Sequence, residues 1–217
     1  CTDGEETYKA ARMLWTRLDQ PNAMIKIPAT RASLPAIRSM IASGANVNVT
    51  LIFGLERYRD VINAYINGLA DRLSMGLPID SIASVASFFI SRVDTEIDNR
   101  LNTIGTPEAL ALRGRAAAYS MFREMFSTTT WNDLASYGAS VQRPLWASTS
   151  TKNPAYSDTL YVDELIGPQT VNTLPDASIR AFCDHGTISR TIDVDVDECY
   201  EIWESLSKVG VDVDDVA

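Results

Sequence analysis

The chain has 217 residues, of which 46% are hydrophobic and 22% charged, a composition that suits one globular domain with a substantial core. Its net charge of −9 argues against non-specific nucleic-acid binding, which depends on neutralising phosphates with Lys and Arg. No apolar stretch approaches the roughly 18 residues needed to span a bilayer, and no basic segment leads into an apolar one as in a secretory signal.

Tyr8, Ala11, Leu14, Trp15 and Leu18 recur at helical spacing, and Pro21 follows the break at Asp19-Gln20. The chain opens on Cys1 with a helix almost under way, so it reads as a piece of something longer. Ala23 to Ile27 is expected to be a short strand. Ser33 to Ser43 is expected to be a helix, with Leu34, Ile37, Met40 and Ile41 on one stripe and Gly44 as its cap. Val47 to Phe53, rich in β-branched residues, is the clearest strand. A long helix from Leu55 to Leu73 follows, with Tyr58, Val61, Ile62, Tyr65 and Leu69 as its core face.

The alternation continues. Ile82 to Phe89 reads as a strand and Asp94 to Leu101 as a helix, and Pro107 starts a helix running toward Phe126. Leu145 to Ser148 and Asp158 to Val162 are the last two expected strands, with short helices near Asp176 to Cys183 and Glu198 to Leu206. Five strands alternating with helices imply right-handed βαβ units and a parallel sheet in one α/β domain over residues 1–217. An open doubly wound sheet would carry a Gly-rich phosphate turn after its first strand, and this chain has none. Polar residues alternating with aliphatics instead suit a barrel, whose strand faces look inward or out toward helices.

With a period of two, Lys26 points away from the face carrying Ile25 and Ile27. Facing a barrel interior, its amine would be buried with a depressed pKa, as a Schiff-base nucleophile requires. The alternative is an edge-strand lysine with its head in water. Asn48 and Thr50 repeat the pattern on the next strand, opposite Val47, Val49 and Leu51, where they could bind a substrate hydroxyl and orient a water. They could equally be a polar pair satisfied by neighbouring backbone.

Ser87 and Arg92 bracket the point where an apolar strand turns into a helix, a place where Arg can clamp phosphate. Its alternative is a salt bridge to Asp94 or Glu96. Lys152, in the polar loop after Ser148, offers a second anion contact. His185, the only histidine, reads as a helix-end residue ahead of Gly186. Asp193, Asp195, Asp197 and Glu204 match positions of a calcium loop, but Glu198 stands where that loop needs Gly, so no metal is expected. Cys1, Cys183 and Cys199 show no paired spacing and read as free thiols of a reducing compartment.

Together these segments resemble the transaldolases. Ile25-Lys26-Ile27-Pro28-Ala29-Thr30 resembles their Schiff-base lysine segment, and Asn46-Val47-Asn48-Val49-Thr50-Leu51-Ile52-Phe53 the strand after it. Ala83 to Thr95, Arg143 to Tyr156 and Thr159 to Gly167 are similar to the later strands and turns, in the family's order across nearly the whole chain. The wording, including Asp184-His185-Gly186-Thr187, is nearest the cyanobacterial and plant-plastid branch.

The resemblance implies a parallel (β/α)8 TIM barrel of which this chain supplies strands 4 to 8, without the N-terminal strands and the C-terminal helix. Five strands could not close such a barrel, so edges near Lys26 and Tyr161 are expected to be bare or paired with a complementing segment or another copy. It further implies that Lys26 forms the Schiff base with a ketose phosphate and that Asn48 and Thr50 serve the chemistry. Ser87, Phe89, Arg92, Ser148 and Lys152 would bind the sugar phosphate. A dihydroxyacetone unit would pass from sedoheptulose 7-phosphate or fructose 6-phosphate to an aldose phosphate, in the pentose phosphate pathway. No cofactor is implied, because the protonated imine is itself the electron sink. The compartment would be cytoplasm or plastid stroma. Two alternatives stand beside this: a fructose 6-phosphate aldolase, in which a Tyr is expected where this chain has Phe89, and a non-catalytic assembly module derived from a transaldolase.

Overall fold

The computed structural model describes residues 3–106, 123–194, 201 and 204–212. The expected helix from Pro107 lies outside them up to residue 122, with 123–125 helical; of the expected helix at Glu198 to Leu206, residues 201 and 204–206 are described and are helical. Among the described residues the main elements are α1 (Gly4–Leu18), β1 (Ile25–Pro28), α2 (Leu34–Ala42), β2 (Val47–Ile52), α3 (Leu55–Ser74), β3 (Ser84–Phe89) and α4 (Ile90–Ile104). They continue with α5 (Thr129–Ser136), β4 (Arg143–Ala147), α6 (Leu160–Asp163), β5 (Val171–Asn172) and α7 (Asp176–His185). The strands form one five-stranded parallel sheet in the order β1-β2-β3-β4-β5. No described helix is long and apolar enough to cross a membrane.

The chain divides into two compact units, the first comprising Cys1–Ile52, Glu56–Ser87 and Phe122–Pro144, the second Phe53–Leu55, Phe88–Met121 and Leu145–Ala217.

In the first unit, Asp3 caps α1 by accepting the amides of Glu5 and Glu6 at 2.8 and 3.1 Å, satisfying donors that the first turn leaves free. Helix α1 packs on β1 and α2, and α2 packs on β2. Ile25, Ile27, Val47 and Val49 are buried, so both strands bury the apolar set that their alternation marks. Gly68 lets α3 approach α2: a Cβ there would lie 2.8 Å from both the Arg38 carbonyl and the Ile41 Cβ. Asn46, buried at the mouth of β2, donates to the carbonyls of Pro21 and Ala23 and accepts the amide of Ala83, tying together the approaches to β1, β2 and β3.

In the second unit, Leu145 and Trp146 of β4 register with Val171 and Asn172 of β5. The Trp146 indole is fully buried and donates to the Leu165 carbonyl at 3.1 Å.

The last strand is not where the sequence placed it. Asp158 to Val162 was expected to be extended, but Leu160–Asp163 is the helix α6, and the fifth strand is Val171–Asn172. Leu160, Tyr161 and Val162 have the bulk of strand residues, yet their turn closes locally. The amides of Val162 and Asp163 donate to the Thr159 carbonyl at 2.8 and 2.9 Å, and the Thr159 hydroxyl donates to Asp163 at 2.6 Å. Tyr161 and Val162 are buried as helix residues. Val171, not the segment around Tyr161, therefore ends the strand order opposite β1.

Candidate active site

The parallel register of β1 on β2 pairs Lys26 with Asn48 and Pro28 with Thr50. These side chains leave the sheet on the face opposite the buried Ile25, Ile27, Val47 and Val49. The Ser87 hydroxyl of β3 donates to Asn48 Oδ1 at 2.8 Å. Lys26, Asn48 and Ser87 thus form one row across three strands. Thr50 lies one pleat further along β2, and its hydroxyl is buried without a hydrogen-bond partner.

At this row one of two alternatives is favoured and one expectation changes. Lys26 is exposed on β1, the first strand of the sheet order, which fits the edge-strand lysine with its head in water and not an amine buried in a barrel interior. Leu51 was grouped with Val47 and Val49, but it is 44% exposed while Ile52 beyond it is fully buried. The cause is a φ of 61° at Leu51, a left-handed conformation that breaks the alternation of the strand. The break follows directly on Thr50, which keeps its hydroxyl enclosed.

In the second unit, Phe89 ends β3 and α4 begins beside it. The guanidinium of Arg92 lies 5.5 Å from the Phe89 ring centroid, a cation–π distance, and the Phe53 ring lies 5.2 Å from Phe89 on a tilted plane. Arg92 is exposed and pairs with neither Asp94 nor Glu96. Glu96 is taken by Arg100 at 3.0 Å, and Asp94 accepts from the Tyr161 hydroxyl at 2.9 Å. Ser148 follows β4 with a φ of 56°. Its hydroxyl lies 3.0 Å from that of Ser91, and its carbonyl accepts the Ser91 amide at 3.2 Å, joining the end of β4 to the first turn of α4. Lys152 is exposed in the loop that follows, donating to Ser150 Oγ at 2.5 Å.

Sequence reasoning missed a polar cluster behind Arg92. Asp94 and Asp98 lie one turn apart on α4, accepting from the hydroxyls of Tyr161 and Tyr156 at 2.9 and 2.6 Å. Burial pushes the Asp94 carboxyl up to about 7; the Tyr161 hydrogen bond pulls the other way, and the nearby Asp98 charge adds to the rise. The only local sign of this cluster is the i, i+4 spacing of two acids on an amphipathic helix, which ordinarily means a solvated face.

His185 ends α7 as its sequence position suggested. Its Nε2 lies 2.8 Å from Asp158 and its Nδ1 3.1 Å from Asp184; these two carboxylates, Asp158 foremost, raise its pKa. Asp193 of the calcium-like pattern is engaged by Arg190, while Asp195 and Asp197 lie outside the described residues. Cys183 is a free, exposed thiol; Cys1 and Cys199 are likewise outside the described residues.

The family model described as Transaldolase/Fructose-6-phosphate aldolase matches residues 1–217. The chain is 51% identical to a transaldolase of Frankia alni, with 99% of this chain and 60% of the relative covered. It is 52% identical to one of a Parafrankia species, covering 98% and 59%, and 51% identical to one of Mycolicibacterium smegmatis, covering 99% and 60%. The chain thus spans about 60% of the length of these curated relatives.

Proposed function

The chain belongs to the transaldolase/fructose-6-phosphate aldolase family, and from that premise we propose that it carries the Schiff-base half of a transaldolase. The five strands are then the fourth to eighth of a (β/α)8 barrel, and residues 1–217 are part of that one domain. Its substrates are sugar phosphates, and its setting is the pentose phosphate pathway. The relatives named above are bacterial, which favours the cytoplasm and lends no support to a plastid.

The observation that carries this reading is the row of Lys26, Asn48 and Ser87 at one level of the sheet, beside the enclosed hydroxyl of Thr50. Lys26 Nζ adds to the ketose carbonyl and water leaves, giving a protonated imine. A carboxylate base of the complete enzyme takes the proton of the C4 hydroxyl, the electron pair of the breaking C3–C4 bond passes into the imine, and an aldose phosphate departs. The resulting enamine attacks the acceptor aldehyde, and hydrolysis frees Lys26. Asn48, held by Ser87, presents its amide nitrogen as a donor to a substrate hydroxyl. Thr50 supplies a hydroxyl that a catalytic water would satisfy. Phe89 offers no hydroxyl where an aldolase of this family is expected to have Tyr, which favours transfer over simple cleavage. Arg92 and Lys152 receive the phosphate, Arg92 as a planar fork and Lys152 as a point charge.

Incubating the complete enzyme with fructose 6-phosphate and borohydride tests the reading. A reduced three-carbon unit should appear on the peptide containing Lys26. Labelling at a different lysine, or full activity in Lys26→Ala, would overturn it; cleavage with no transfer to an added aldose phosphate would favour the aldolase instead.

A further inference from the structure

The cluster behind Arg92 has a geometry that the reaction just described does not call upon. Within the second unit, α4 and the segment from Ser148 to Tyr161 are joined at three successive points. Ser91 meets Ser148 through both backbone and side chain. Tyr156 donates to Asp98 at 2.6 Å across 58 residues of sequence, and Tyr161 donates to Asp94 at 2.9 Å across 67. Asp94 and Asp98 are a turn apart, so the two tyrosines grip one stripe of the helix that starts with Arg92 in its first turn. Lys152 sits between the first and second of these joins.

The segment gains little order from its own secondary structure. From Ser148 to Asp158 no regular helix or strand forms, and Lys152, Asn153, Pro154 and Ala155 are exposed. Its local fastenings are short, from Ala155 N to Asn153 and from Thr151 to the Ser157 carbonyl. Outside α4 the segment is held near its ends, by Thr149 on the Thr173 carbonyl and by Asp158 on His185, and neither tie fixes the stretch around Lys152 to the helix that bears Arg92. Hydrogen bonds from a tyrosine hydroxyl to an aspartate side chain are short and directional, which suits them to that task.

We propose that Tyr156 and Tyr161 are positioning residues that strap the Lys152 loop onto the helix bearing Arg92, so that both cations meet one substrate phosphate. The inference rests on the phosphate role given above to Arg92 and Lys152. The tyrosines touch no reacting atom; they act through where they hold Lys152.

The test is steady-state kinetics of the complete enzyme with fructose 6-phosphate and, separately, unphosphorylated fructose as donor. Tyr156→Phe should raise KM for the phosphorylated donor about tenfold, leave kcat within a factor of about two, and leave KM for fructose unchanged. In a Lys152→Ala background, Tyr156→Phe should add nothing further. Asp98→Asn, which keeps an acceptor for Tyr156, should behave as the parent, whereas Asp98→Ala should reproduce Tyr156→Phe. Tyr161→Phe should likewise raise KM for the phosphorylated donor alone; should that buried variant fail to fold, the Asp98 pair still decides the Tyr156 arm of the strap. Equal effects on both donors, or a full Tyr156→Phe effect on top of Lys152→Ala, would overturn the strap. If Arg92→Ala and Lys152→Ala raise KM for the phosphate donor alone while Tyr156→Phe does not, only the strap fails. If those two cation variants leave the donor preference untouched, the phosphate reading falls and the strap with it.

Discussion

Ser87 donates its hydroxyl proton to Asn48 Oδ1 over 2.8 Å, a contact between residues 39 apart that sets which way the Asn48 amide faces. With Oδ1 committed to Ser87, the Nδ2 group is left to donate toward the Lys26 row. Ser87→Ala and Asn48→Ala should therefore each slow turnover in the complete enzyme. Their combined effect should fall short of additivity by about 1–2 kcal/mol in a double-mutant cycle. Strict additivity would show that the contact does not orient the amide.

Thr50 holds a buried hydroxyl with no partner, an arrangement that costs roughly 1–3 kcal/mol of stability. Thr50→Val removes the stranded group while keeping the branched shape. The variant should be more stable by about 1 kcal/mol in urea melts and yet turn over more slowly. A variant that loses stability, or one as active as the parent, would remove Thr50 from the site.

Asp94 should dominate the acid-side shape of stability. Its carboxyl ionises near 7 in the folded chain and near its ordinary value when unfolded. Between about pH 4 and 7 the folded state therefore holds the extra proton, and stability falls as pH rises across that window, by at most roughly 4 kcal/mol. His185, whose pKa is raised by Asp158 and Asp184, contributes stability that is complete below its ordinary value and fades as pH climbs through the raised one. Comparing Asp94→Asn with the parent by urea melts at several pH values isolates the carboxyl: the asparagine variant should lose the slope from pH 4 to 7 and keep the His185 part. An unchanged slope would mean that Asp94 titrates normally.

Gly68→Ala should destabilise despite the better helix propensity of alanine. The gain is about 1 kcal/mol. The new methyl would meet the Arg38 carbonyl and Ile41 Cβ at 2.8 Å, forcing α2 and α3 apart at a cost of about 1–3 kcal/mol. Thermal melting of the single variant decides the sign.

What could be read ahead of the structure followed local periodicity. Ile25-Lys26-Ile27 and Val47-Asn48-Val49-Thr50 declare their two faces because a pleat alternates without exception until something breaks it. Leu51 is that break, and a left-handed leucine leaves no mark in composition. Leu160-Tyr161-Val162 misled for the opposite reason: its residue types favour a strand, but the carbonyl of Thr159 was close enough to close a turn. The exposure of Lys26 depends on what covers a sheet face, which a strand's own sequence does not encode. The Tyr161–Asp94 and Tyr156–Asp98 bonds join segments 67 and 58 residues apart, beyond the reach of any spacing rule. The resemblance added Phe89 and Ser148 to the candidate residues, whereas Lys26, Arg92 and Lys152 stand out by residue type and position alone.

The burial of Trp146 against the Leu165 carbonyl has an optical consequence. Trp146 lies in the second compact unit and Trp131, also buried, in the first, while Trp15 is only half-buried. Replacing the other tryptophans by phenylalanine, Trp203 included, would leave either indole as the sole long-wavelength emitter. A red shift that appears at the same denaturant concentration in both single-tryptophan proteins would mean that the two units melt as one; separated shifts would time their loss individually.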